Sequence, residues 1–302
     1  SAGGAVGLID MVTGSYEYET ATDKMRDSAN KQGDPTTEDP TDTGIDDPTL
    51  EATDGNDSLT GTDGGEEFRG EAGDDTLSGE SGDATLHGDE GNDTLDGDDD
   101  DDALYGHNDN DTLNGGSGND TLQGSQGDDV LDGGDGDDAV HGGLDNDTIE
   151  GGAGHASLFG GLGNDVVNGV VDDDTTAGIQ DTDEGDYLNG GTGEDTIIAG
   201  QDDTVTAGDG ADTIVGGSWI SQGHAADIMD FDADDDNILL VYDDAEDVPR
   251  ISLQPDPDNP GTTQVIMDGG TVANVLNDSG ISIEDIALMP LSLAQSSGLA
   301  PL

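Results

Sequence analysis

The chain has 302 residues, with 73 Asp and Glu against 5 Lys and Arg and a formal net charge of -68 at pH 7. A surface this negative repels nucleic-acid phosphate and anionic lipid, which excludes DNA, RNA and membrane surfaces as partners and favours cations. With 30% hydrophobic and 3% aromatic residues and no cysteine, the chain lacks the means for a large apolar core, disulfides or thiolate metal sites, so hard oxygen ligands for a hard cation remain.

Residues 1–50 mix Thr, Asp, Glu, Pro and Gly after a short apolar start, and Pro35, Pro40 and Pro48 prevent long regular elements. They read as an acidic linker whose Met11, Tyr16 and Tyr18 are available to dock on the rest of the chain or on a neighbouring subunit. The start at Ser1, without a basic n-region, is compatible with prior removal of a signal or pro-segment. No apolar run approaches the roughly 18 residues of a membrane span, so no direct membrane insertion is expected. The longest runs are Ala5 to Val12 and Ile286 to Ala294, the latter broken by Pro290.

Over residues 51–170 one apolar residue recurs at steps of nine, from Leu59, Phe68, Leu77, Leu86, Leu95 and Leu104 to Leu113, Leu122, Leu131, Val140, Ile149, Leu158 and Val167. Glycine follows each two places later, from Gly61 to Gly169. Aspartate precedes most of them by two, at Asp57, Asp75, Asp93, Asp102, Asp111, Asp120, Asp129, Asp138, Asp147 and Asp165, with Glu66, Ala84 and Ala156 as breaks. A further glycine stands four places before many, as at Gly55, Gly73, Gly91, Gly118, Gly127, Gly136 and Gly163, where Asp100, Asp109 and Asp145 depart from the pattern.

The unit reads G-x-x-G-(N/D)-D-x-L-x. Its D-x-L-x end alternates polar and apolar residues, as in Asp120-Thr121-Leu122-Gln123, and suits a short strand with one side chain pointing inward. Its glycine end suits a tight turn that exposes backbone carbonyls beside a carboxylate, which is a ligand set for Ca²⁺ rather than for the stricter Mg²⁺. Two units close one 18-residue coil of a solenoid, and the loops of units n and n+2 then face each other across an inter-coil gap. At about 4.8 Å per coil, thirteen units make a rod of roughly 30 Å.

The cleanest unit, Gly115-Gly116-Ser117-Gly118-Asn119-Asp120-Thr121-Leu122-Gln123, resembles the RTX nonapeptide of calcium-binding β-rolls. The resemblance implies an all-β fold, a right-handed parallel β-roll, folding induced by several Ca²⁺ ions, and export by type I secretion machinery. Many units replace the second glycine, by Thr62, Glu71, Glu80, Asp89, Asp98, His107 and Ser125, and residues 98 to 111 are expected to bind calcium more loosely or to use extra side-chain ligands.

In 171–185 the period slips. Val167 and Leu188 are 21 residues apart, read as two units plus three, and 172–176 carry no repeat character, so an inserted loop is expected. The pattern resumes over 186–217 as a second short stack, with Leu188, Ile197 and Ile214 in frame, Val205 one residue early, and Asp186, Gly193, Asp195, Gly210 and Asp212 added to the calcium ligands. From 218 to 302 the chain reads as a C-terminal β-rich cap holding an uncleaved secretion signal. Ile228 to Phe231 and Ile238 to Tyr242 read as strands, and Thr263 to Asp268 and Thr271 to Leu276 flank Gly269-Gly270 as a hairpin. Such a cap would cover the open end of the roll.

The five histidines never form H-E-x-x-H, and no nucleophile elbow, phosphate loop or cysteine nucleophile occurs, so no enzyme is expected. The Asn-Asp-Thr triplets that fit a glycosylation sequon arise from the repeat itself. Three roles are weighed. The first is a secreted structural, adhesive or matrix protein that partners itself or cell-surface components. The second is the carrier part of a larger toxin or enzyme. The third is halophilic acidity without a specific metal, which predicts scattered acids rather than aspartate at one place in a nine-residue frame.

Overall fold

The computed structural model describes residues 49–62, 64–171, 181–182, 185–245, 247–276, 280–297 and 299. The expected linker, Met11, Tyr16 and Tyr18 included, lies outside the described residues up to position 48, as does 172–180 of the expected inserted loop.

The chain is an all-β parallel roll. Among the described residues, the strands from Thr49–Glu51 to Asn237–Tyr242 alternate between a thirteen-stranded and an eleven-stranded sheet, paired neighbours lying two elements apart, and the last four strands extend the ends of the two sheets. Within the regular coils the register is 18, as in Leu113 opposite Leu131 and Leu122 opposite Val140. Thr121–Gln126 shows why this sequence makes such a strand: its residues alternate between outward and buried, and the preceding Asp120 is buried as well. The strand period of two therefore turns three places of every unit inward, the aspartate, the apolar residue and the first glycine. Leu77, Leu86, Leu95, Leu104, Leu122 and Leu131 are all 0% exposed and stack in columns that form a core one side chain deep on each wall.

The first glycine of the unit is a packing requirement. A Cβ on Gly115 would meet the Gly133 carbonyl oxygen at 2.4 Å and the Asp120 carboxylate at 2.5 Å, so no larger residue fits under the next coil.

The slip after Val167 has a different form from the one its spacing suggests. Leu158 pairs with Leu188 and Val167 with Ile197, each 30 residues on instead of 18, so a single coil carries twelve extra residues and the stack continues in register beyond them. The next coil is one residue short, with Leu188 opposite Val205 and Ile197 opposite Ile214, which is why Val205 comes early in the frame. Beyond Gly217 the two sheets carry on. Ala226–Ile228 pairs with Thr204 and Val205, and Asn237–Tyr242 pairs in parallel with Thr213–Gly217. Phe231 falls outside the first of these strands and is buried in the core between them.

The hairpin joins Thr263–Met267 to Gly270–Val275, antiparallel. Its turn residues Asp268 and Gly269 have φ of 50° and 92°, the pair of positive values that a two-residue hairpin favours. A third antiparallel strand, Ile251–Pro255, ends the first sheet, and Ile286–Pro290 followed by a short helix, Leu291–Ser297, ends the second. Pro255 and Pro290 sit on these outermost strands, where a missing N–H costs no ladder bond and discourages further pairing.

Candidate calcium ladder

The aspartate two places before each core residue opens the strand and points into the roll. Its Oδ1 accepts the backbone N–H of the residue at the same place one coil earlier. In one ladder the N–H groups of Asp57, Asp75, Asp93, Asp111, Asp129 and Asp147 donate to Asp75, Asp93, Asp111, Asp129, Asp147 and Asp165 at 2.7–2.9 Å. In the other ladder Ala84, Asp102 and Asp120 donate to Asp102, Asp120 and Asp138. Both ladders cross the twelve-residue insertion: Ala156 donates to Asp186 and Asp165 to Asp195, and Asp195 then donates to Asp212. Alanine at 84 and 156 keeps the donor and loses the acceptor, so each gap removes one carboxylate without breaking the stack.

The second oxygen of these carboxylates has no such partner. Oδ2 of Asp75, Asp93, Asp102, Asp111, Asp120, Asp129, Asp138, Asp147, Asp165, Asp186, Asp195 and Asp212 is buried and makes no hydrogen bond. An unpaired buried polar atom costs about 1–3 kcal/mol, and more when charged. Burial accordingly raises these carboxyls against the opposing pull of the backbone N–H: Asp111 and Asp147 to about 8, and Asp75, Asp102 and Asp186 to about 7. Asp129, Asp138, Asp195 and Asp212 rise to about 6, and Asp93, Asp120 and Asp165 are raised for the same reason. At neutral pH a row of stacked carboxyls half lacks the solvation it needs. Asp57, at the first coil, is partly exposed and accepts from the Thr53 N–H and hydroxyl instead.

Carbonyl oxygens line the same gaps. A Cβ on Gly97, Gly133, Gly160 or Gly190 would lie 2.4–2.6 Å from both an aspartate Oδ2 and a carbonyl oxygen of the following coil, so two oxygens converge on one small hollow. At the fourth place of the unit the glycines sit at φ of 125–156° in Gly73, Gly91, Gly118, Gly127, Gly136, Gly163, Gly193 and Gly210. A Cβ on Gly136 would come 1.6 Å from the Gly118 carbonyl oxygen, so at the φ of 145° that Gly136 adopts the coil fits against its neighbour only as glycine. Where the sequence departs from glycine, the backbone still turns left-handed: Glu71, Glu80, Asp89, Asp98, His107 and Ser125 have φ of 65–89°, and Asp100, Asp109 and Asp145 have 68–80°. These departures put strain and extra carboxylates into the first half of the roll.

Among the described residues no group of three or more His, Asp or Glu side chains closes around one point. A cation between coils would therefore be held by one carboxylate with backbone carbonyls, the mixed oxygen set that Ca²⁺ accepts in six- to eightfold coordination. The half-satisfied carboxylate beside converging carbonyls fits such an ion.

Two members of the ladder escape the nine-residue frame. Asp203 is buried, accepts the Asp186 N–H at 2.8 Å and takes the Gly200 N–H on its other oxygen. Asp236 accepts from Asp212 at 3.1 Å and from Asp232 at 2.7 Å, closing the other column. Asp203 stands two places before Val205, so shifting the frame by the one residue that Val205 is early finds it. Asp236 likewise stands two places before Ile238.

The family model described as RTX calcium-binding nonapeptide repeat (4 copies) matches residues 44–77, 60–89, 78–113, 114–149, 141–176, 180–214 and 200–218, together more than half of the chain. No curated protein matches. Among solved structures the chain is similar to the solution structure of the AlgE6R3 subunit from the Azotobacter vinelandii mannuronan C5-epimerase, at 18% identity and a TM-score of 0.20, covering 63% of this chain and 80% of that one.

Proposed function

Because the chain belongs to the RTX calcium-binding nonapeptide-repeat family and so binds several Ca²⁺ ions, we propose that its aspartate ladder is a folding switch that closes outside the cell. The observation that carries this reading is the row of twelve buried Oδ2 atoms without a partner. In a chain of net charge -68 each of them, once ionised, is a desolvated negative group that opposes coil stacking until it is neutralised. Bound calcium supplies positive charge and oxygen coordination there. The residues that would hold it are the ladder aspartates together with the carbonyls that converge with their Oδ2 atoms, those of Gly115, Gly133, Gly151, Gly190 and Ala207, while the fourth-place glycines Gly73, Gly91, Gly118, Gly127, Gly136, Gly163, Gly193 and Gly210 shape the turns that bring the coils together. Asp57 and Asp203 extend the ladder at the first and the shortened coil, where their Oδ2 accepts from Thr53 and from Gly200 in place of an orphaned oxygen.

Sites of mixed carboxylate and carbonyl character in extracellular modules bind Ca²⁺ at about 10⁻⁴ to 10⁻³ M. A chain tuned to that range stays unfolded where calcium is scarce, passes through type I secretion machinery, and folds on arrival into a structural or adhesive roll. Equilibrium dialysis against ⁴⁵Ca²⁺ tests this: several ions per chain are expected, with half-saturation near or above 10⁻⁴ M. Saturation at micromolar calcium would fold the chain before export and would defeat the switch.

A further inference from the structure

The middle of the first sheet carries an uncharged field, as the second sheet does from Val166–Asn168 to Ile286–Pro290, but of the two it is the field on the first sheet that bears stacked rings and a trough. Five successive strands of the first sheet, Ala103–Asn108, Thr121–Gln126, Ala139–Leu144, Ser157–Leu162 and Tyr187–Thr192, contain no Asp, Glu, Lys or Arg. The strands on either side end in Asp89-Glu90 and in Asp209. In the middle of this neutral field the His141 and Phe159 rings lie parallel, centroids 4.5 Å apart and planes within 4°, and Tyr187 tilts against Phe159 at 5.5 Å. A trough of about 310 Å³ opens here, walled by Gln123, His141 and Phe159 and floored by Gly143 and Gly161. Further along the same strands Leu144 and Leu162 are 41% and 52% exposed.

These side chains stand outside the apolar core, whose residues face the other way. An aromatic pair, two leucines and a glycine floor on a solvated sheet form an exposed apolar surface of the kind that marks binding. Burial lowers His141 from its ordinary value, so the platform is neutral at pH 7. Five strands by six residues span about 19 by 20 Å, roughly 400 Å², half of what a standard protein partner covers on each side. The loops at both strand ends carry exposed Asp101, Asp109, Asp128, Asp137 and Asp145, so an anionic ligand or a second copy at net charge -68 is repelled at the rim.

A ligand that fits must be uncharged, small in section, apolar on one face and rich in hydroxyls at its edge. We propose that this face binds a neutral polysaccharide, with the His141 ring face toward Gln123, the outer edges of the stacked His141 and Phe159 rings and the glycine floor as the bed for the C–H face of a hexose ring, and with Gln123 and Asn189 as partners of its hydroxyls. Aromatic faces and edges take such C–H surfaces, and side-chain amides both donate to and accept from hydroxyls.

Affinity electrophoresis of the calcium-loaded full chain tests it, in gels containing hydroxyethyl cellulose, laminarin or dextran, with dextran sulfate as the anionic control. Far-UV circular dichroism of the same samples reports separately whether the roll has folded, on which the proposal rests. At least one neutral glycan is expected to retard the chain. Phe159→Ala and Leu162→Asp are each expected to weaken that retardation by about tenfold. Thr112→Ala on the opposite sheet should leave it unchanged. Folded protein that no neutral glycan retards, or retardation untouched by both variants, overturns the proposal. So does a dimer by light scattering that Leu162→Asp dissolves, which would assign the face to a second copy.

Discussion

Replacing Asp120 with Asn separates the cost of a buried carboxylate from its use. The amide keeps Oδ1, which accepts the Asp102 N–H at 2.7 Å, so the ladder bond survives. The orphaned Oδ2 becomes an N–H₂ group beside the Gly133 carbonyl, since both atoms crowd the same hollow next to Gly115. Without metal the variant loses a desolvated charge and gains about 1 kcal/mol from one hydrogen bond. With calcium it loses the buried carboxylate at that step, and a tenfold weakening of one site is about 1.4 kcal/mol. The two conditions therefore shift stability in opposite directions. The assay is urea unfolding by far-UV circular dichroism, first in EDTA with sodium sulfate to populate the metal-free roll, then in saturating CaCl₂. Asp120→Asn is expected to raise the midpoint in EDTA and lower it in calcium. A shift of the same sign in both would refute the assignment of the ladder carboxylates as ligands that are destabilising when empty.

Gly136→Ala should raise the calcium concentration needed for folding, because its Cβ would strike the Gly118 carbonyl oxygen at 1.6 Å, whereas Gly55→Ala, with nothing within 4 Å of its Cβ, should stay within about 0.5 kcal/mol of the parent in a urea titration. Leu122→Ala empties a position that is 0% exposed and should cost about 2–5 kcal/mol in the same titration with calcium present. The ladder carboxyls raised from 3.8 to about 6–8 bind more protons folded than unfolded between those values, so metal-free stability falls as pH rises through that window. In EDTA the β signal should accordingly be larger at pH 5 than at pH 8. The calcium midpoint should move the other way, rising on acidification because protons and metal compete for the same oxygens.

The column of apolar residues at steps of nine was readable without coordinates because a stacked roll demands the same inward side chain in every coil. Aspartate two places earlier and glycine two places later were equally visible, but their role was not. Spacing suggests a turn ligand for the aspartate, whereas the strand period carries it to the inner face, where half of it is hydrogen-bonded and half is orphaned. Asp203 and Asp236 were hidden because coil length is set by pairing and not by sequence count, and the coils that hold them run to 17 and 24 residues. The twelve-residue insertion was misjudged for the same reason, as only the pairing of Leu158 with Leu188 reveals which coil carries it. The hairpin announced itself through turn chemistry, although its turn is Asp268-Gly269, one residue before the expected Gly269-Gly270, because Gly270 pairs with Met267 and opens the second strand. Ile251–Pro255 did not, since an edge strand that ends in proline is defined by the neighbour it pairs with.

The central claim is that calcium, and not ionic strength, closes this roll. Titrating the EDTA-stripped full chain with CaCl₂ under far-UV circular dichroism, with MgCl₂ and NaCl at matched ionic strength, tests it most directly. A cooperative gain of β signal with calcium alone is the predicted result. A chain already folded in EDTA, or one that folds equally in NaCl, would contradict it and leave screening of the acidic surface as the cause of folding.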